Sequence, residues 1–331
     1  MTVSMGVGLF PTEPPHRMVA LAAAAEQLGY DNVWFGDSQN LWREAYVTMT
    51  LAAEATTTVT LGTGVTQALT RHPSVLASAW ATLHEVAPGR LALGIGTGDS
   101  AVRTMGLDPM RLAALEQTIS DLRDLLAGEE VDEPVSGGSY RLGYLTDPIE
   151  LPIYVAASGP RITELTGSVA DGVILLVGTD PRFIESGLER LEAGARASGR
   201  TLDDLHVVLW TPTAIDDDGD AARALVRAHV ARVVIRDLPA DLPPESMQAV
   251  ARLREAYRYK EHLATTAGHA DLVPDELIPH FAMAGTRSEC LPVLRAIARL
   301  PVDQVAIVPF TAAGGDRAAT MRAFAELVAA L

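Results

Sequence analysis

The segments Thr60-Leu61-Gly62-Thr63-Gly64-Val65 and Arg90-Leu91-Ala92-Leu93-Gly94-Ile95-Gly96-Thr97-Gly98-Asp99 each run from apolar residues straight into glycines and a polar tip. Apolar runs of this length read as buried parallel strands. The carboxyl end of such a strand is where a parallel barrel carries its chemistry. Glycine there lets a flat ligand approach the backbone, and hydroxyl or carboxylate groups just beyond it can meet the ligand's polar edge.

Working outward, similar runs alternate with alanine- and leucine-rich stretches of helical period, the βα signature. Strands are expected at Met5–Phe10, Asp31–Phe35, Val59–Thr63, Arg90–Ile95, Ile153–Ala157, Gly172–Val177, Leu205–Thr211 and Val305–Val308. Pro14-Pro15 opens the first helix and Gly29 stops it. Further helices are expected near Arg43–Ala55, from Pro73 onward and over Pro109–Ala127. No linker or charge block divides the chain, so residues 1–331 read as a single (β/α)8 TIM barrel. A polar excursion interrupts it at about 128–150, and a helical insertion at about 236–300 lies between strands seven and eight. Pro239, Pro243-Pro244, Pro274 and Pro279 break that insertion, which either covers the site or serves packing and subunit contact.

The 331 residues are 48% hydrophobic and 21% charged, enough for a large core. A net charge of −16, with Lys260 the sole lysine, argues against nucleic acid as a partner. An acidic surface still permits a local positive pocket for an anionic cofactor. No apolar run reaches the roughly 18 residues of a membrane span, and Met1 to Met5 lacks the start of a signal peptide. Cys290 is the only cysteine and cannot form an intrachain disulfide, so a cytoplasmic protein is expected.

Metal chemistry finds no footing in the sequence. The histidines show no H-E-x-x-H spacing, and Asp216-Asp217-Asp218 reads as a solvated helix start. Cys290 lies in a helical pattern without the signature of an activated nucleophile. Gly94 to Gly98 reads G-x-G-x-G, but its third glycine is misplaced for a dinucleotide fingerprint.

Several further segments share order and spacing with one known family: Gly29-Tyr30-Asp31-Asn32-Val33-Trp34, Arg71-His72-Pro73, Ala156-Ala157-Ser158-Gly159-Pro160, Ala170-Asp171-Gly172-Val173-Ile174 and Phe281-Ala282-Met283-Ala284-Gly285-Thr286. Together with the two opening stretches, they make the chain resemble the bacterial luciferase-like superfamily. Within it, the chain is similar to the coenzyme F420-dependent reductases related to methylenetetrahydromethanopterin reductase. The resemblance implies a cytoplasmic F420-dependent oxidoreductase, commonly a homodimer, whose reduced cofactor comes from a separate F420-reducing enzyme. The implied reaction is hydride transfer to an activated C=C or C=N bond of a small molecule or modified peptide. A flavin mononucleotide (FMN)-dependent monooxygenase on the same scaffold is the alternative. A ligand-binding barrel without catalysis is a second.

The resemblance also implies site residues. A non-prolyl cis peptide would join Gly64 to Val65, where sequence alone allows an ordinary glycine turn, and Val65 with Thr66 would then face the cofactor ring. Ala157, Ser158, Gly159 and Arg161 would hold the cofactor phosphate, with Gly178 and Thr179 as second neighbours, although Ser158-Gly159-Pro160 also fits a plain helix start. Asp37 would lie close to the ring as a cofactor contact and catalytic group, or serve as a turn cap. Trp42, Ser38 and Ser100 would meet the substrate. Ser38 replaces the histidine that serves as base in the related sugar-phosphate dehydrogenases, which argues against alcohol oxidation. Thr97 and Gly98 would contact the cofactor, and Asp99 would donate a proton opposite the hydride if burial raised its pKa, or else be a turn residue. His72 reads as structural before Pro73.

Overall fold

The computed structural model describes residues 3–133, 136–235, 244–258, 268–312 and 314–331. Its elements run β1 (Ser4–Leu9), α1 (Pro15–Gln27), β2 (Asn32–Phe35), α2 (Ala45–Ala55), β3 (Thr60–Thr63), α3 (Pro73–Val86), β4 (Leu91–Ile95), α4 (Ser100–Arg103) and α5 (Leu112–Leu126). A short antiparallel hairpin follows, β5 (Val131–Glu133) with β6 (Gly138–Tyr140). The chain continues through β7 (Ile153–Ala157), α6 (Pro160–Val169), β8 (Gly172–Leu175), α7 (Pro181–Ala197), β9 (His206–Ile215), α8 (Gly219–Val234) and α9 (Pro244–Ala256). It ends with α10 (Ile278–Phe281), β10 (Met283–Gly285), α11 (Arg287–Ile297), β11 (Gln304–Pro309) and α12 (Arg317–Val328).

Among the described residues, eight parallel strands close into a barrel in the order β1-β2-β3-β4-β7-β8-β9-β11, and helices lie between successive strands. The expected barrel is therefore present, with three local differences. β9 runs on to Ile215 because β10 pairs with its extension, Met283 opposite Thr213. That extra strand sits inside the segment expected to be helical. The excursion carries the hairpin, tied to α3 where His72 Nε2 lies 3.1 Å from Glu133 Oε2. His72 also caps α3 by accepting from Ser74 N. Third, the one-turn helix α4 precedes the expected long helix, which begins at Leu112 rather than Pro109. Pro239, Pro243 and Lys260 lie outside the described residues. No helix among the described residues is long and apolar enough to cross a membrane.

Alternation along the strands builds the barrel interior. Val208 and Trp210 on β9 point inward with Trp34, Tyr154, Ile174 and Val308. The two indoles fit because the facing strands carry glycine: a Cβ on Gly8 would lie 2.4 Å from Trp210, and one on Gly62 would lie 2.7 Å from Trp34. Gly62, one of the opening glycines, thus makes room for an aromatic side chain. Toward the amino ends of the strands, Trp34 Nε1 donates to Gln304 Oε1 at 3.0 Å, and Gln304 Nε2 donates to Asn32 Oδ1 at 2.7 Å. The Trp34 indole and the Gln304 amide are therefore both satisfied there.

Candidate active site

A cleft of about 500 Å³ opens at the carboxyl ends of the barrel strands. Each wall has a separate origin. The turn after β3 supplies Gly64, Val65 and Thr66, and the peptide bond between Gly64 and Val65 is cis. The turn after β4 supplies Gly96, Thr97, Gly98, Asp99 and Ser100. Gly96 is needed for the shape, since a Cβ there would approach Val65 Cγ2 to 3.2 Å. Phe10 stacks on Trp42 with ring centroids 4.4 Å apart, and Trp210 forms the floor beside them.

Asp37 follows β2 and is 4% exposed. Its Oδ2 accepts from Thr66 Oγ1 at 2.8 Å and from Arg71, which reaches Glu44 with its other terminal nitrogen. Burial raises the Asp37 carboxyl above its ordinary range, more than Arg71 and Thr66 hold it down. Next to it, the Ser38 and Ser100 hydroxyls are hydrogen bonded at 2.6 Å. Thus β2 and β4 join at the cleft through two serines.

Asp99 lines the cleft between two arginines. Arg232 of α8 gives both Nε, at 2.6 Å, and Nη2 to Asp99 Oδ2, while Arg103 Nε approaches Asp99 Oδ1 to 3.6 Å. His229, one turn before Arg232, also lines the cleft and meets the Phe310 ring edge-on at 5.5 Å. Neither α8 residue was singled out from the sequence. The signal was Arg232 between Val230-Ala231 and Val233-Val234, an unusual place for a charge unless it has a partner.

Ser158 and Gly159 line the cleft where α6 begins. Gly159 is the N-cap residue and makes no side-chain cap, and Pro160 takes the first helical position. The N–H groups of Arg161 and Ile162 therefore begin a helix without a side-chain acceptor, which is an anion-binding geometry. Space above Gly159 is open, with nothing within 4 Å of a built Cβ. Ala157 is buried in β7, and the Arg161 side chain is exposed outside the lining. Gly178 and Thr179 also lie outside it. Thr179 Oγ1 donates to Pro279 O at 2.9 Å, and a Cβ on Gly178 would sit 2.4 Å from His280 O, so this pair seats α10. Stacking of Phe183 on Phe281, with centroids 5.4 Å apart, fastens the same helix.

A flat, half-apolar cleft with a helix amino terminus at one end fits a tricyclic cofactor carrying a phosphate. Comparison with known proteins agrees on the scaffold. A family model described as luciferase-like monooxygenase matches residues 2–304. The chain belongs to this luciferase-like family. This luciferase-like chain is 30% identical over 310 residues to the 5,10-methylenetetrahydromethanopterin reductase of Methanolobus tindarius, covering 92% of the chain and 93% of the relative. It is 37% identical over 227 residues to an F420-dependent glucose-6-phosphate dehydrogenase of Beutenbergia cavernae, covering 64% and 67%. Among solved structures, the coenzyme F420-dependent tetrahydromethanopterin reductase of Methanopyrus kandleri superposes with a TM-score of 0.82 at 25% identity. That match covers 100% of this luciferase-like chain and 99% of the other.

Proposed function

We propose that the chain is a coenzyme F420-dependent reductase that delivers a hydride to an activated C=C or C=N bond of a small molecule or modified peptide. The observation that carries the direction of this reading is Ser38. Beside the Asp37 carboxyl, the cleft presents a hydroxyl bonded to Ser100 rather than an imidazole that would take a proton from an alcohol. The solved coenzyme F420-dependent reductase that superposes over the whole chain, and the relative named as an F420-dependent dehydrogenase that matches 64% of it, support the choice of cofactor.

Bound reduced coenzyme F420 supplies the hydride. Val65 and Gly96 form the wall against which its ring would lie. Ser158, Gly159 and the first N–H groups of α6 would receive its phosphate, and Thr97 with Gly98 would edge the ring. As the hydride reaches one atom of the double bond, a proton must reach the other. Both carboxyls accept from an arginine, Asp99 Oδ2 from Arg232 and Asp37 Oδ2 from Arg71, and at Asp37 burial outweighs that pair. We therefore assign proton delivery to Asp37, whose buried carboxyl holds its proton more readily than an ordinary aspartate. In this scheme the chain acts as a homodimer, and a separate F420-reducing enzyme regenerates the cofactor.

His229 favours a second reading. It brings an imidazole into the cleft from α8, where it would serve as base for an alcohol oxidised in the reverse direction. Parallel titration of the protein with F420 and with FMN tests the cofactor, and tight F420 binding with negligible FMN binding is expected. Preference for FMN would end the reductase reading and redirect the search to oxygen-dependent chemistry. Single turnovers with enones and imines, compared between wild type, Asp37→Asn and Asp99→Asn, then test the proton assignment. Loss of the chemical step in Asp37→Asn alone is the expected result.

A further inference from the structure

Arg232 of α8 lines the cleft. Its side chain is only 8% exposed, yet it belongs to the cleft wall. A guanidinium presents two forks of N–H donors, each matched to a planar oxyanion. In Arg232 one fork, Nε with Nη2, is spent on a single oxygen of Asp99. The other fork, Nη1 with the remaining Nη2 hydrogen, has no protein partner among the described residues. These donors belong to the cleft wall, where an oxyanion of a ligand can replace water on them. Asp99 fixes the plane of the group, and Arg103 adds a second positive charge on the same side.

We infer that Arg232 binds a carboxylate of the substrate through its second fork, with Asp99 as its positioning residue. The inference rests on the reductase reading and narrows it to unsaturated acids: enoates, or imines bearing a carboxylate. The rest of the cleft suits such a molecule, since the Phe10, Trp42 and Trp210 rings give an apolar surface for a flat unsaturated body. A carboxylate next to the double bond would also orient the substrate relative to Asp37 at the end of β2.

The test is calorimetric titration of the full chain, with oxidised F420 present, using crotonate and cinnamate against crotonamide and cinnamamide. At least one acid is expected to bind about tenfold or more tightly than its amide, with that preference abolished in Arg232→Gln. Arg232→Lys, which keeps the charge and loses the fork, is expected to retain only part of the preference. Equal affinity of acids and amides in the wild type overturns the inference, and so does a preference that survives Arg232→Gln. Tighter binding of inorganic phosphate than of every acid overturns the carboxylate assignment. If both variants fail to fold, the wild-type ratio still decides. The F420 titration on the same sample reads the cofactor proposal separately, so failure of one is distinguishable from failure of the other.

Discussion

The indole of Trp210 on β9 fills the space that a side chain on Gly8 of β1 would occupy, with a built Cβ 2.4 Å from Trp210 Cη2. Both residues lie inside a barrel without slack. Gly8→Ala is therefore expected to destabilise the protein by about 1–3 kcal/mol through overpacking. Trimming the indole with Trp210→Phe should relieve part of that cost. Denaturant unfolding of the two single variants and the double variant checks this, and additive losses would mean that the two residues do not compete for space.

Asp37 gives the protein a pH signature. Burial sets its folded-state pKa above the ordinary value, against the pull of Arg71 and Thr66. Folding then favours the protonated form. The contribution is full below the unfolded pKa and is lost as pH rises through the folded one. The stability of wild type relative to Asp37→Asn should fall as pH is raised from about 4 to about 7. A relative stability that climbed over this range would show that the Arg71 ion pair outweighs burial.

Glu26 runs in the opposite direction. Its Oε2 accepts from Thr57 N at 2.9 Å, Thr58 N at 2.7 Å and Val59 N at 2.9 Å, tying α1 to the start of β3. Desolvation is the largest single influence and works against ionisation, but the N–H donors together hold the carboxyl at about 2 rather than 4.5. This contribution is present above the unfolded pKa and is lost as pH falls through the folded one. The advantage of wild type over Glu26→Gln in urea unfolding should shrink between pH 4.5 and about 2. An advantage that stayed constant across that window would count against the N–H cradle.

Gly159 separates cofactor binding from stability. Its φ of −101° suits any residue, and its Cβ position is open. Gly159→Asp would cap α6 and should leave stability unchanged or raise it by a few tenths of a kcal/mol. The new carboxylate would occupy the N–H groups proposed for the phosphate and repel it, weakening F420 binding by about tenfold or more. Thermal unfolding and F420 titration of one sample report the two effects. Unaltered F420 affinity would place the phosphate elsewhere.

Much of the site was legible because its residues are local to strand ends. Val65, Thr97, Asp37 and Ser158 each follow an apolar run, and the run fixes where the chain leaves the barrel. Gly178 and Thr179 occupy the same position after β8, yet their polar groups are spent on α10, which comes from 100 residues further along. Local pattern does not say which later segment will cover a strand end. Arg232 was overlooked for the converse reason. It lies on a helix face, and the cleft it joins is built by other elements.

The sequence by itself determined the barrel, the strand ends that line the cleft and the helix start at Ser158-Gly159-Pro160, because periodicity, glycine and proline act within a few residues. Only the tertiary structure decided that Asp99 meets Arg232 across 133 residues, and that Asp37 is bridged through Arg71 to Glu44. Ion pairs and burial are properties of which surfaces come together when the barrel closes. They set the surroundings of each carboxyl, on which the roles proposed for Asp37 and Asp99 rest.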